Sequence, residues 1–135
     1  MEWVAQYNDL GVLLLRVATG LVFFMHGYQK LGMGVEVVTG FLSGLGFPAA
    51  GLFAIILIGV ELIGGAALIL GVLTRVAAKL TGIVALVALF TVHLSKGFFI
   101  SEGGFEFILL ILAACVSLMI TGAGKYSLDN HLKLG

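Results

Sequence analysis

The sequence predicts an all-α protein: a four-helix transmembrane bundle with a short interfacial helix between helices 1 and 2. Three observations carry that expectation. Of the 135 residues, 61% are hydrophobic and only 10% are charged, against about half and about a quarter in a soluble domain. Four stretches approach the roughly 20 mostly apolar residues that a membrane-crossing helix needs. The runs 52–70 and 76–94 have almost no polar face, which a water-soluble helix bundle would require.

The four spans are expected at about residues 10–31, 49–71, 75–95 and 104–121, within one domain covering 1–135. Before the first span the chain carries Glu2 and Asp9 but no Lys or Arg ahead of Arg16. The pattern is unlike a signal peptide, so the first apolar segment is expected to remain in the mature protein. Between spans 1 and 2, Val35, Val38, Phe41, Leu42 and Leu45 recur at helical spacing opposite Glu36, Thr39 and Ser43, as in a helix lying at the interface. Pro48 suits the start of span 2. Thr74 is placed to cap span 3, and Ser127 to cap a last short helix. The glycines inside the spans, Gly20, Gly27, Gly59, Gly64, Gly65 and Gly82, read as close helix packing.

Arg16, Arg75, Lys79, Lys125 and Lys133 fall toward one side, and Lys30 and Lys96 toward the other. The excess of basic residues predicts that side, with both termini, to be cytoplasmic. Net charge is zero and the cations are scattered singly, so no nucleic-acid partner is expected. The partner implied is the lipid bilayer, and a homo-oligomer is compatible with the pattern. Cys115 is the single cysteine. It offers no internal disulfide, dithiol pair or zinc cage, and reads as a buried small hydrophobe.

Ionisable groups in hydrocarbon are costly and are expected to face inward with partners. Glu61 lies near the middle of span 2, and Arg16, in the inner half of span 1, is the partner to test. Such a pair either fixes helix register or builds a functional site. His26, His93 and Glu106 fall at one depth near the outer ends of three spans, with Lys30 one turn beyond His26. One reading is that they simply suit helix ends and the interface. The other is an outer pocket where these donors, with walls from Phe23, Phe24, Tyr28, Phe98 and Phe105, hold a quinone-like ring. Haem ligation by His26 and His93, or a metal triad completed by Glu106, lacks a spacing motif. No metal site and no built-in cofactor are expected.

The ordered set LLLRVATGLVFFMHGYQKL (13–31), GFP (46–48), VELIGGAALILGVLTR (60–75), VHLSKGFF (92–99), GGFEF (103–107) and GAGKYSLD (122–129) resembles DoxX-like membrane proteins over nearly the whole chain. The family pattern falls on Arg16, His26, Gly27, Lys30, Glu61, Gly64, Gly65, Arg75, His93, Gly97 and Glu106. The resemblance implies a four-helix protein of a prokaryotic plasma membrane. It also implies association with quinone-linked oxidoreductase or thiol-stress systems, with membrane or soluble redox partners. The leading expectation is therefore a redox subunit that binds a quinone-like molecule in the outer half of the bundle. The candidate ligand-binding or proton-handling residues are His26, Lys30, His93, Glu106, Glu61, Arg16 and Tyr28. The rival is a non-enzymatic scaffold or assembly factor. A transporter is a third reading, opposed by the short chain and the lack of an internal repeat.

Overall fold

A computed structural model describes residues 1–134. Those residues form six helices and no strand: α1 (Glu2–Met33), α2 (Val35–Gly44), α3 (Ala50–Leu70), α4 (Thr74–Lys96), α5 (Glu106–Thr121) and α6 (Leu128–Leu132). Three of them, α1, α3 and α4, are long and apolar enough to cross a membrane. The first predicted span extends in both directions because nothing in residues 2–9 breaks a helix. The fourth is shorter than predicted, at 16 residues. Its expected start is consumed by a knitted loop, in which the Phe105 and Glu106 N–H groups donate to Gly97 and Phe98 carbonyls at 2.9 and 2.8 Å. Its end is set by Gly122, whose φ of 78° leaves the helical region.

Neighbouring long helices run antiparallel. Along α1 and α3, Gly20 lies against Gly65 and Gly27 against Leu62. Along α4 and α5, Arg75 reaches Met119, Thr81 meets Cys115, and His93 meets Gly103. The main core is built from Phe23 on α1, Leu68 on α3, Ala78 and Ala85 on α4, and Ile111 and Leu118 on α5. A second cluster joins α2 to α3 through Val38, Leu42, Ala54 and Ile58. The predicted short helix thus forms; Val38 and Leu42 of its apolar stripe pack on α3, while Val35, Phe41 and Leu45 stay exposed.

The early part of α1 and the tail meet at one end of the bundle, where Asp9 Oδ1 accepts the Lys125 N–H at 3.0 Å. Here the predicted cap is replaced. Thr74 is the first helical residue of α4, and its buried hydroxyl has no partner. Asp129, from the tail, instead accepts the N–H groups of Leu73 and Thr74 at 2.6 and 2.8 Å. A carboxylate there meets the positive end of the helix dipole and fills the orphan donors of the first turn. Ser127 does cap α6, its Oγ accepting from the Asn130 N–H at 3.1 Å. Asp129→Ala is expected to cost about 1–2 kcal/mol, as loss of a helix cap does, and to release the tail. Carboxypeptidase digestion of the folded variant checks this; a tail as resistant as wild type would refute it.

Candidate functional site

The membrane-type cost of burying Arg16 and Glu61 is met, but not by pairing them. The antiparallel register with Gly20 opposite Gly65 puts Arg16 beside Gly71 and Glu61 beside Gly27. Arg16 is 1% exposed, and its two terminal nitrogens donate to the Ala123 and Tyr126 carbonyls at 2.6 and 2.7 Å. It ties the tail to the bundle. Glu61 instead takes Lys30, whose Nζ lies 3.0 and 2.9 Å from its two carboxylate oxygens. Lys30 starts nearer the helix end, and its flexible four-carbon stem lets the ammonium reach Glu61.

Two of the ionisable residues stand on irregular helix turns. Glu61 lies in a π-helical turn, Val60–Gly64, within α3. His93 closes another, Leu89–His93, in α4. Such turns insert an extra residue, disturb the hydrogen-bond ladder and recur at functional sites.

Lys30, Glu61 and His93 line one cavity of about 440 Å³ between α2, α3 and α4, within the ~300–1,000 Å³ usual for small-molecule sites. Its remaining wall is almost wholly apolar. Phe41, Leu42 and Leu45 come from α2, Phe47 from the following turn, Phe53 and Leu57 from α3, and Val84 and Val87 from α4. Phe47 and Phe53 meet edge to face with centroids 5.8 Å apart. The α2 helix therefore forms one wall of the site, a role its amphipathic spacing alone did not reveal.

His93 Nδ1 lies 2.9 Å from the Gly103 carbonyl. A carbonyl only accepts, so Nδ1 carries the hydrogen and Nε2 is left as the exchangeable nitrogen. The ring is thereby oriented by the loop between α4 and α5. Glu106 steadies that loop, its Oε1 accepting the Ile100 N–H at 3.0 Å.

The outer pocket expected from sequence therefore differs in membership. His93 lines the cavity with Lys30 and Glu61, while His26, Glu106 and Tyr28 do not. His26 and Tyr28 lie on the exposed side of α1. Phe23 is in the main core, and Phe98 packs edge to face on Phe99 and Phe105 in the loop. The aromatic wall comes from residues 41–53 instead. Among the described residues no group of three or more His, Cys, Asp or Glu is placed to hold a metal ion.

Comparison with known proteins agrees with the membrane architecture. The DoxX family profile matches residues 11–94. "Putative oxidoreductase CatD" of Bacillus subtilis is 36% identical over 127 residues, covering 94% of this chain and 90% of that protein. "Inner membrane protein YqjF" of Escherichia coli is 32% identical over 125 residues, covering 93% and 94%. An uncharacterized membrane protein of Mycobacterium tuberculosis is 33% identical over 133 residues, covering 90% and 80%. No solved structure matches.

Proposed function

This chain belongs to the DoxX family of multi-pass membrane proteins, and from that premise we propose that it is a redox-linked subunit holding a quinone-like molecule between α2, α3 and α4. The observation that carries the reading is the make-up of the cavity: an apolar, aromatic-walled space of about 440 Å³ with Lys30, Glu61 and His93 on its lining. A quinone is a flat apolar ring with a carbonyl at each edge. The walls suit the ring, and the polar groups suit the edges.

Lys30 has three N–H donors, and Glu61 engages it through both oxygens. The remaining donor is available to a carbonyl. His93 Nε2 accepts a proton from a quinol hydroxyl, or returns one to a quinone oxygen when the ring is charged. Oxidation of a quinol releases two electrons and two protons. Glu61 and His93 serve the protons, and a partner redox protein takes the electrons. The name carried by the Bacillus relative supports a redox association.

In this reading α5 is the fourth span. At 16 residues it is about 24 Å long, and the aromatic loop around Phe98 and Phe99 completes the crossing at the interface. The end bearing Arg16, Arg75, Lys125 and Lys133 faces the cytoplasm by the positive-inside rule.

Binding of short-tailed ubiquinone and menaquinone to protein in nanodiscs, read by equilibrium dialysis, tests the assignment. Saturable binding is expected. It should weaken about tenfold or more in Glu61→Gln and in His93→Phe, since a lost charged hydrogen bond is worth about 1.5–3 kcal/mol. His26→Ala and Glu106→Gln, which lie off the lining, should bind within about twofold of wild type, being outside the contact set. Absence of saturable binding, or indifference to both lining variants, would overturn the reading.

A further inference from the structure

A second cavity lies at the opposite end of the bundle, where the tail packs. It is a wide cleft of about 800 Å³ bounded by the first turn of α4, the last turn of α5 and the tail. Three cations line it, Arg75, Lys125 and Lys133, with two carboxylates, Asp9 and Asp129. Both carboxylates are already engaged by backbone: Asp129 by the Leu73 and Thr74 N–H groups, and Asp9 by the Lys125 N–H. Among the described residues the sole salt bridge is Lys30–Glu61, and none of these three cations is paired with a carboxylate of those residues.

Arg75 is held in a particular pose. Its Nη1 donates to the Met119 and Ile120 carbonyls, which crown the negative end of the α5 dipole. That anchor explains a cation at the start of α4, where its own helix disfavours one. It also leaves the Nε and Nη2 edge without a protein acceptor among the described residues. This edge is the two-pronged donor that matches phosphate. Beside it Thr74 borders the cleft, 1% exposed, with a buried hydroxyl that has no partner among the described residues. The cleft also has apolar residues, Leu73, Val76 and Leu134, of which each is at least half exposed.

We propose that this cleft binds a phosphate-bearing anion, presented by the headgroup of an anionic phospholipid. Lys125, Lys133 and the guanidinium edge of Arg75 take the phosphate, and the adjoining apolar residues take the start of the acyl chains. Basic pockets beside membrane helices hold lipid headgroups by this combination. A free phosphate would use the first half of the site and leave the second unused, which is why the lipid is the source favoured. The assignment does not depend on the quinone reading, whose cavity lies elsewhere.

The test is native mass spectrometry of the full chain after incubation with equal amounts of phosphatidylglycerol and phosphatidylcholine. Wild type should retain phosphatidylglycerol preferentially, by about tenfold or more, since each cation near the surface adds about 1 kcal/mol. Lys125→Gln/Lys133→Gln, which leaves the Arg75 carbonyl bonds intact, should bring retention close to parity. Arg75→Gln should do the same if it folds; if it does not, the lysine variant carries the test. A thermal shift with inorganic phosphate, lost in the lysine variant but without lipid preference, would support the phosphate chemistry and overturn the lipid as its source. Equal retention of both lipids with no phosphate response would overturn the proposal, as would a preference unchanged in the lysine variant.

Discussion

Lys30→Met is expected to destabilise the protein by about 3–5 kcal/mol, the usual cost of removing one partner of a buried ion pair. The Glu61 side chain is 7% exposed and that of Lys30 only 20%. Removing the ammonium leaves a carboxylate among Leu57, Val84 and Val87 with its cation gone. The double variant Lys30→Met/Glu61→Met removes both charges and is expected to recover most of the loss, because apolar replacements of a buried pair are often neutral. Denaturant unfolding of the purified protein in one detergent, followed by circular dichroism, reads all four corners of this cycle. Should the double variant prove no more stable than Lys30→Met, the pair is not the compensated unit described here. The same double variant separates scaffold from site: if the cavity binds as proposed, it should be stable yet have lost quinone affinity.

This pair also shows how far the sequence could be read. The cost of a carboxylate in an apolar span correctly demands a cation for Glu61, but counting residues from span ends gives depth and not partnership. Arg16 and Lys30 were both within reach on α1. What selects Lys30 is the helix register, set where Gly20 and Gly65 touch. Those glycines are visible in the sequence as packing residues. Aligned antiparallel through Gly20 and Gly65, they place Glu61 beside Gly27, about one turn from Lys30 and about three from Arg16. Depth failed in the same way for His26, His93 and Glu106, of which only His93 reaches the cavity. The α2 helix was legible because an amphipathic spacing of apolar residues needs a surface to cover. Its role as a cavity wall was not, because that depends on the fold of the turn through Phe47. The π-helical turns at Glu61 and His93 left no sequence signal, since each adds one hydrogen-bond step to an otherwise ordinary apolar run. Asp129 was missed for a different reason: a carboxylate more than fifty residues from the helix it caps is invisible to local capping rules.

Gly65→Leu is expected to be as damaging as any single change in the chain. A Cβ at this position would lie 2.5 Å from the Phe24 nitrogen and 2.7 Å from the Gly20 carbonyl oxygen. Both obstacles are backbone, so no side-chain rotation relieves them, and α1 and α3 must separate. Overpacking a core costs about 1–3 kcal/mol where neighbours can adjust. Here they cannot, and the loss of close contact spreads along the interface to the Lys30–Glu61 pair. The expected result is failure to yield a monodisperse protein, or a loss beyond about 3 kcal/mol where one is obtained. Gly59→Ala is the matched comparison, on the same helix. An added Cβ there meets nothing within 4 Å, and replacing a helical glycine by alanine is worth up to about 1 kcal/mol. It should therefore be neutral or slightly stabilising in the same unfolding measurement. If Gly65→Leu and Gly59→Ala behave alike, α1 and α3 do not cross at Gly20 and Gly65, and the register that brings Lys30 to Glu61 is wrong with them.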